Sequence, residues 1–352
     1  MHAPEWASLR HILAIRLDNI GDVVLLAPAL KAIKTAAPLA RLTLMATPAG
    51  SQVAPLIEAV DDVIVERPVW QDISGAYPFD PARQQALIAD LAQRQFEAAL
   101  IFTSFRQSPY PPAYCCYLAG VPLRIGQSKE FGGQVLTHWV IPPPDTTHQR
   151  LRNLHLLNAV GIPAREAGDL IIPSDATARA DRLLRGAGIR RDQPFVAIVP
   201  GASCEARRYP AERFIAVTKL LRRRGLQTVV LGAARECQGN GWDGAGPSLA
   251  GKTSVPEFAA VVQRAAAIVC NNSSALHFAE AMGRPSVCLY SGTDYEEQWR
   301  PRLAPAQLLR RDTDCAPCYR FDCPYGLPCL DIPPEEVAAA AIEAVQEGWV
   351  RA

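Results

Sequence analysis

Short apolar runs alternate with amphipathic helical segments along most of this 352-residue chain. In the first half, buried strands are predicted at His11–Leu17, Leu42–Ala46, Asp62–Val65 and Ala98–Phe102. The pattern restarts in the second half, with strands predicted at Phe195–Val199, Gln227–Leu231, Ala267–Cys270 and Ser286–Tyr290. Because helical segments separate the strands, the sheets should be parallel and covered on both faces. The pattern predicts an α/β protein of two Rossmann-like, doubly wound domains that face a cleft.

Helices fill most of the intervals between these strands. They are predicted at Asp22–Ala36, about 81–94, Gln149–Val160, Pro210–Arg224, Ser254 to about Ala265, Ala275–Met282 and from near Pro333 onward. Ser254 and Glu257 have the spacing of a capping box. A mixed stretch separates the two series, so we place a hinge at about 170–190 and the domains at 1–175 and 176–352. For the last helix, packing back on the N-terminal domain is kept as an alternative to packing within its own domain.

Composition and charge exclude several classes of protein. Hydrophobic residues make up 49% and charged residues 20%, which is typical of a folded globular chain. The net charge is only +1, without a basic arm or stripe, so no nucleic-acid partner is expected. The first residues lack the apolar run of a signal peptide, and no window approaches the roughly 20 apolar residues of a membrane span. We therefore expect a cytoplasmic protein.

Two motifs imitate nucleotide-binding loops. Gly239, Gly241 and Gly244 spell G-x-G-x-x-G, but they do not sit directly between a strand and a helix, as the dinucleotide motif requires. Gly246–Thr253 matches the Walker A pattern, yet glycine-rich polar residues precede it and the helix begins only after Ser254. We interpret the first match as chance and the second as a surface turn before a capped helix.

Cysteine is used in two ways in this chain of ten cysteines. Cys270 and Cys288 fall in predicted strands, where cysteine acts as a small buried hydrophobe. A second group has the spacing C-x2-C-x4-C-x5-C and consists of Cys315, Cys318, Cys323 and Cys329. Four thiolates could close a structural zinc site, but the two-knuckle spacing of a zinc ribbon is missing. A compact turn of reduced thiols and an adventitious disulfide are the two other interpretations, and both together are favoured over metal binding.

The first of three polar loops follows the first predicted strand. In open α/β sheets, ligands bind beyond the carboxyl ends of the strands, where loops lead into helices. This loop contains Asp18, Asn19, Gly21 and Asp22, and Asp22 begins the helix. Two interpretations of Asp22 remain open. It caps the helix, which stabilises it by about 1 kcal/mol, or it is an ionised carboxylate that accepts a proton from a hydroxyl.

The other two loops suit anionic ligands. Pro200–Ser203 is followed by Arg207 and Arg208, and small residues with paired guanidiniums fit a nucleotide diphosphate, although exposed arginines are often merely solvated. Asn271–Ser274 offers backbone N–H groups and small hydroxyls before a helix that carries His277. That histidine either touches a phosphate or sugar or is a core residue.

Together these loops resemble glycosyltransferase family 9, the ADP-heptose:lipopolysaccharide heptosyltransferases. The matching stretches occur in order along nearly the whole chain: Arg16–Val24 with Pro28–Leu30, Pro200–Ser203, Arg207–Phe214, Leu249–Ser254, Asn271–His277 and Ser291–Asp294. The L-A-G-K-T-S stretch at Leu249–Ser254 also accounts for the Walker match. The cysteine segment that ends in Cys329 and Leu330 is similar to that of many members.

The resemblance implies a GT-B fold, with the acceptor on the N-terminal domain and the nucleotide sugar on the C-terminal one. It implies an inverting reaction without cofactor or metal, in which Asp22 matches the catalytic base. Candidate donor-binding residues are Gly201, Ala202, Ser203, Arg207, Arg208, Lys252, Asn272, Ser273, Ser274, His277 and Thr293. Candidate acceptor contacts are Asn19 and Gly21, together with Arg106, Arg124 and Lys129, which are expected in loops.

Three positions depart from the family pattern. Arg207 stands where the family typically has a lysine, which keeps the charge but changes the geometry of a phosphate contact. Asn272 replaces an aspartate and Ser274 a glycine, so the way the donor sugar is held is expected to differ. These departures keep two alternatives open: a family member that uses another nucleotide sugar for a different cell-surface glycan, and a non-catalytic nucleotide-sugar-binding homologue.

The implied partners are an ADP-sugar donor and an anionic, lipid-linked lipopolysaccharide core acceptor. An acceptor anchored in lipid implies transient contact with the inner face of the cytoplasmic membrane. No amphipathic anchoring helix is obvious in the sequence.

Overall fold

The computed structural model describes residues 4–72, 75–167, 170–237, 241–242 and 244–350. Contacts divide the chain into an N-terminal unit, Met1–Ile171, and a C-terminal unit, Ile172–Ala352. The sequence placed this boundary after residue 175. Ile171 still belongs to the first unit because its N–H donates to the carbonyl of Leu56 at 2.8 Å.

Six parallel strands of the described residues form the sheet of the N-terminal unit, in the order β3-β2-β1-β4-β5-β6. The strands are β1 His11–Arg16, β2 Arg41–Ala46, β3 Asp62–Val65, β4 Ala98–Ile101, β5 Leu123–Gln127 and β6 His138–Val140. The first four were predicted. The sequence missed β5 and β6 because polar residues interrupt them and because β6 lies at the sheet edge. Strand order reverses between β1 and β4, which is where ligands bind in such sheets.

Helices of the N-terminal unit are α1 Ile20–Ala36, α2 Pro81–Gln93, α3 Tyr110–Leu118 and α4 Gln149–Ala159. No element was predicted from the sequence for α3, which contains Pro111 and Pro112. Both prolines lie in its first turn, where a missing N–H breaks no helical hydrogen bond.

Five parallel strands of the described residues form the C-terminal sheet, in the order β11-β10-β9-β7-β8. They are β7 Phe195–Val199, β8 Gln227–Val230, β9 Ala267–Asn271, β10 Ser286–Leu289 and β11 Ala306–Leu309. The sequence missed only β11, which is a half-buried edge strand. Here the order reverses between β7 and β9.

Helices of the C-terminal unit are α5 Ser174–Gly186, α6 Ala211–Arg223, α7 Val255–Arg264, α8 Ser274–Ala281 and α9 Pro334–Val350. The predicted hinge range is largely occupied by α5, which packs on α7. The predicted capping box of α7 is confirmed: Ser254 N–H donates to Glu257 Oε2 at 2.7 Å, and Glu257 N–H donates to Ser254 Oγ at 3.4 Å. The last helix packs on α6, β9 and β10 of its own unit.

The central strands of both sheets are buried along their whole length except for the first residue of β1 and β2. Cys270 and Cys288 are fully buried in β9 and β10, as predicted. Burial also raises the pKa of the Cys288 thiol well above its ordinary value. In the described part of the chain, no helix is both long enough and apolar enough to cross a lipid bilayer.

The two imitations of nucleotide-binding loops occupy turns. Gly241 and Gly244 have left-handed backbone angles, with φ of 82° and 84°, whereas Gly239 lies outside the described residues. Gly246–Thr253 runs beside the end of β8, where Leu249 N–H donates to Val230 O at 2.9 Å. Because α7 begins only at Val255, the Walker-like stretch is the predicted turn before a capped helix.

Candidate functional site

A buried arginine organises the N-terminal site. Arg16 is the last residue of β1 and is fully buried. Its Nε lies 2.9 Å from Asp18 Oδ2, and its Nη2 donates to Asp22 Oδ1 at 2.7 Å. One guanidinium therefore holds two carboxylates at the carboxyl end of β1, and the three groups together carry a net negative charge.

Asp22 has two structural partners. Besides Arg16, the N–H of Asn19 donates to Asp22 Oδ2 at 3.2 Å, so the carboxylate caps the first turn of α1. The capping interpretation is therefore correct. Each oxygen keeps further acceptor capacity because a carboxylate accepts about four hydrogen bonds. With its side chain 14% exposed, Asp22 is reachable from solvent and can also serve a reacting hydroxyl.

Asp18 is a feature of the site that the sequence did not single out. Gln107, in the loop after β4, donates from Nε2 to Asp18 Oδ1 at 2.6 Å, and Thr47, after β2, donates to the backbone carbonyl of Asp18 at 2.6 Å. Burial raises the pKa of the Asp18 carboxyl to about 6; Arg16 opposes the rise, Asp22 adds to it and Gln107 opposes it. The loops of three neighbouring strands thus meet at this residue.

Basic residues surround Asp145 in the same unit. Lys129 Nζ lies 2.8 Å from Asp145 Oδ2, and Arg152 Nη1 lies 4.0 Å from Asp145 Oδ1. The hydrogen bond from Lys129 holds the pKa of Asp145 below its ordinary value, and the charges of Arg152 and Arg106 act in the same direction. The guanidinium of Arg152, in α4, stacks over Phe105 at 4.6 Å. The structure therefore brings the predicted residues Arg106 and Lys129 together and adds Arg152.

Arg124 does not lie in a loop as expected. It is a buried residue of β5, and its guanidinium donates to the backbone carbonyls of Val121, Pro122, Gln134 and Val135. The Nε to Val135 O distance is 2.8 Å. These bonds tie β5 to the turn before it and to the residues that precede β6. The guanidinium is used within the fold, so we carry Arg124 no further as an acceptor contact.

Arg124→Ala is expected to lower the free energy of unfolding by about 3 kcal/mol, because several buried carbonyls lose their donor. The thermal unfolding midpoint measures this loss. Lys129→Ala is the matched control: its ion pair is more than half exposed, so the change should stay within about 0.5 kcal/mol. Equal midpoints for the two variants would contradict the structural role of Arg124.

Asn271 joins the two loops at the switch point of the C-terminal sheet. Its Nδ2 donates to the carbonyl of Pro200 at 2.7 Å, and its Oδ1 accepts from the N–H of Tyr209 at 3.1 Å. Both partners belong to the loop after β7, whereas Asn271 ends β9. The side chain is fully buried. It therefore fixes both ends of the loop that carries Gly201, Ala202, Ser203, Arg207 and Arg208.

Arg207 is held by side chains of the loop after β10 and by Ser203 of its own loop. Its Nε donates to Thr293 Oγ1 at 3.0 Å, its Nη2 pairs with Asp294, and its Nη1 lies 3.5 Å from Ser203 Oγ. Thr293 in turn donates to Asp294 Oδ2 at 2.7 Å. The guanidinium is still about a quarter exposed. Three predicted donor residues, Ser203, Arg207 and Thr293, thus form one network.

Asn272 occupies the position where the resemblance expects an aspartate. Its Oδ1 accepts from the N–H of Ser291 at 3.3 Å and from Ser291 Oγ at 3.1 Å. With the oxygen used in this way, the amide NH2 remains as a donor group. A site with an amide donor reads ligand hydroxyls differently from a site with a carboxylate acceptor.

Glu236 is a second residue that sequence reasoning missed. It lies after β8, caps Ala233 N–H at 2.8 Å, and its carboxylate covers Gly201 so closely that a Cβ there would lie 2.2 Å from Oε2. An acidic residue in the loop that follows the second strand of a Rossmann-like unit is the signal that could have found it. Beside it, Arg208 donates to the carbonyl of Ala202 at 3.1 Å from Nη2, which shapes the loop.

The remaining predicted donor residues lie at the same edge of the sheet. Ser273 and Ser274 are at the first turn of α8, and Lys252 lies beyond β8, where its Nζ donates to Ser248 O at 3.2 Å. His277 is 7% exposed, and its ring centroid lies 6.0 Å from that of Trp299. This burial fits the alternative of a core histidine better than that of a phosphate contact.

The cysteine segment is hydrogen-bonded to the loops that follow β7 and β10. The N–H groups of Cys318 and Tyr319 donate to the carbonyls of Gly292 and Thr293 at 2.9 and 3.0 Å, and Ala206 N–H donates to Phe321 O at 2.9 Å. The ten cysteines are free thiols. Across the described residues, no group of three or more histidine, cysteine or acidic side chains is arranged to hold a metal ion.

Comparison with known sequences gives a consistent result. The sequence model of glycosyltransferase family 9 (heptosyltransferase) matches residues 85–327, which is more than half of the chain. Lipopolysaccharide heptosyltransferase 2 of Salmonella typhimurium is 29% identical over 158 residues, which cover 42% of this chain and 45% of that protein. The chain thus spans less than half the length of this curated relative.

Solved structures match along nearly the whole chain. A glycosyltransferase of family 9 from Veillonella parvula has a TM-score of 0.77 and 20% identity, covering 98% of this chain and 99% of its own. The ADP-heptose lipopolysaccharide heptosyltransferase II of Escherichia coli has a TM-score of 0.73 and 20% identity, covering 96% and 99%. At this identity the likeness concerns the fold. The predicted GT-B class, two parallel-sheet α/β domains, is confirmed.

Proposed function

Because the chain belongs to glycosyltransferase family 9, the heptosyltransferase family, we propose that it transfers heptose from ADP-L-glycero-D-manno-heptose to the lipopolysaccharide inner core. The observation that carries this proposal is the pair of sites at the switch points of the two sheets. One presents a partly exposed carboxylate, Asp22, and the other a partly exposed guanidinium, Arg207. These are the groups that a glycosyl transfer needs for its acceptor hydroxyl and its leaving diphosphate.

The C-terminal unit supplies the donor site. Arg207 carries the positive charge for the diphosphate, and Ser203 adds a hydroxyl donor beside it, while Thr293 accepts from Arg207 and holds the guanidinium in place. To Glu236, in the short turn that follows β8, we assign the hydrogen bonds from ribose hydroxyls, by analogy with the acid after the second strand of dinucleotide folds. Gly201 leaves the space that this carboxylate occupies.

Asp22 acts as the general base in the N-terminal unit. Its carboxylate takes the proton of the acceptor hydroxyl while that oxygen bonds to the anomeric carbon of the heptose. The bond from that carbon to the diphosphate breaks on the opposite face, so the configuration inverts and ADP leaves. Arg207 neutralises the charge that develops on the leaving diphosphate.

The acceptor is proposed to be anionic and linked to lipid. Arg106, Lys129 and Arg152 place three cations around a single carboxylate, Asp145, and an acceptor phosphate or carboxylate would benefit from that excess of positive charge. Asn19 and Gly21 lie beside Asp22 at the start of α1, where an acceptor hydroxyl must arrive. Such an acceptor places the enzyme at the inner face of the cytoplasmic membrane, in transient contact with it.

The test is acceptor-dependent release of ADP from ADP-heptose, measured with lipopolysaccharide cores truncated at successive inner-core sugars. We expect release with one core and a glycosylated product of heptose mass. A panel of other nucleotide sugars runs in parallel, because Asn272 offers an amide where the family resemblance expects a carboxylate. Turnover with another donor and none with ADP-heptose would refute the proposed donor and leave the family assignment intact.

A further inference from the structure

Asp18 has no part in the reaction described above, although it is the more buried of the two acids beside Arg16. Its side chain is 10% exposed against 14% for Asp22. Asp18 lies against Nε of the guanidinium, and Asp22 accepts from Nη2. The two carboxylates therefore share one positive charge that is itself fully buried, where water screens it poorly.

The position of Asp18 is fixed by three loops. Gln107 donates to its carboxylate, and Thr47 donates to its carbonyl while its own Oγ1 accepts from the N–H of Gly50 at 3.0 Å. Neither Gln107 nor Thr47 is charged. The charged groups that act on Asp18 are Arg16 from β1 and Asp22 from α1. Arg152 of α4 is close enough to Arg16 for that charge, together with burial, to lower the pKa of Arg152. Asp18 thus responds mainly to Arg16 and Asp22.

The strength of Asp22 as a base depends on the charges around it. A guanidinium alone stabilises the carboxylate anion and weakens it as a proton acceptor, whereas a second carboxylate nearby offsets that effect. With Asp18 ionised, the positive charge of Arg16 is divided between two carboxylates and does not act on Asp22 alone. Two acids with different surroundings in one site are a known way to divide such roles.

On the basis of the proposed function, we propose that Asp18 is a positioning residue that occupies one side of Arg16 and so keeps Asp22 basic enough to take the acceptor proton. Asp18 acts through Arg16 and not on the substrate. No covalent step is added: the proton still goes from the acceptor hydroxyl to Asp22.

The direction of the pH dependence follows from this arrangement. Burial raises the pKa of Asp18 to about 6 against the opposing charge of Arg16, and the nearby charge of Asp22 contributes to the rise. Below that pH Asp18 takes up a proton, Arg16 then serves Asp22 alone, and Asp22 becomes a weaker base. The value of kcat should therefore fall as the pH decreases through about 6.

Asp18→Asn and Gln107→Leu are expected to change this acidic limb in different ways. Asp18→Asn removes the second carboxylate, so kcat at pH 8 falls about 3- to 10-fold and the fall in kcat near pH 6 disappears, with KM nearly constant. Gln107→Leu removes a donor that favours the Asp18 anion, so the limb moves to higher pH. A loss of kcat in both variants with the acidic limb unchanged would indicate a merely structural role and overturn the proposal.

A titration that does not depend on turnover separates this proposal from the proposed function. The Asp22 carboxyl carbon is followed by 13C NMR in the wild-type chain and in Asp18→Asn, with Asp22→Asn used to assign the signal. A lower pKa of Asp22 in Asp18→Asn supports the proposal, and an unchanged one overturns it, whichever donor the enzyme uses. If Asp18→Asn does not fold, the Asp22 signal is compared in the wild-type chain and in Gln107→Leu: a second step at the pH where Asp18 titrates, moved to higher pH in Gln107→Leu, supports the coupling, and its absence refutes it.

Discussion

Asp22→Asn is expected to lower kcat by about 10²- to 10⁴-fold, because the acceptor hydroxyl loses its general base. The amide keeps an oxygen that can accept from Asn19 or Arg16, so the start of α1 should remain capped. Binding of ADP should not change, since the donor residues belong to the other unit. Rates of acceptor-dependent ADP release and ADP titrations, carried out on the same preparation, measure both quantities.

Asp175→Asn provides the matched control for that experiment. Asp175 is also an acid in the first turn of a helix, α5, and it is exposed. Its replacement removes a similar favourable interaction with the helix dipole but no site residue. If Asp22→Asn kept more than about a tenth of the wild-type kcat, a role in proton transfer would be ruled out for Asp22.

Arg207→Ala is expected to weaken ADP binding by about 30-fold, which corresponds to about 2 kcal/mol for a charge-assisted contact. The guanidinium is partly exposed and already sits among Thr293, Ser203 and Asp294, so it needs little rearrangement to meet a diphosphate. Arg207→Lys keeps the charge but not the planar donor fork, and it should recover part of the affinity. Isothermal titration with ADP and with AMP shows whether the loss follows the second phosphate.

Arg190→Ala controls for the removal of one positive charge from the same unit. Arg190 pairs with Asp192 just before β7, at the amino end of that strand and remote from the loops that carry Arg207. We expect its ADP affinity to equal that of the wild type. An equal loss in both variants would mean that net charge, and not a phosphate contact, controls binding.

Much of the fold could be predicted because the spacing of apolar residues and the composition of a strand are both properties of a short stretch of sequence. The apolar runs of β1, β2, β4, β7 and β9 identify buried parallel strands without any knowledge of the tertiary structure. Edge elements such as β6 and β11 were missed because half-buried strands carry no such run. The prolines of α3 hid a helix whose stability comes from packing.

The candidate site was predictable where a loop directly follows a predicted strand. Arg207 and Asn272 were found in this way, Thr293 was implied by the family resemblance, and the structure connects the side chains of Arg207 and Thr293. The roles of Gln107 and Glu236 could not be predicted, because their contacts join residues 89 and 35 positions apart in sequence (107 − 18 and 236 − 201). The prediction that Arg124 lies in a loop was wrong. A single arginine in a polar stretch gives no sign that its guanidinium will donate to four backbone carbonyls.

The side chain of Asn271 has a consequence for engineering this enzyme. Because this side chain is hydrogen-bonded to Pro200 and Tyr209, the loop after β7 and the end of β9 are held together as one structural unit. A transplant of either loop alone from a relative with another donor would leave a buried amide group without its partner. The smallest interchangeable part for altering donor choice is therefore the β7 loop, Asn271 and the Asn272–Ser274 turn taken together.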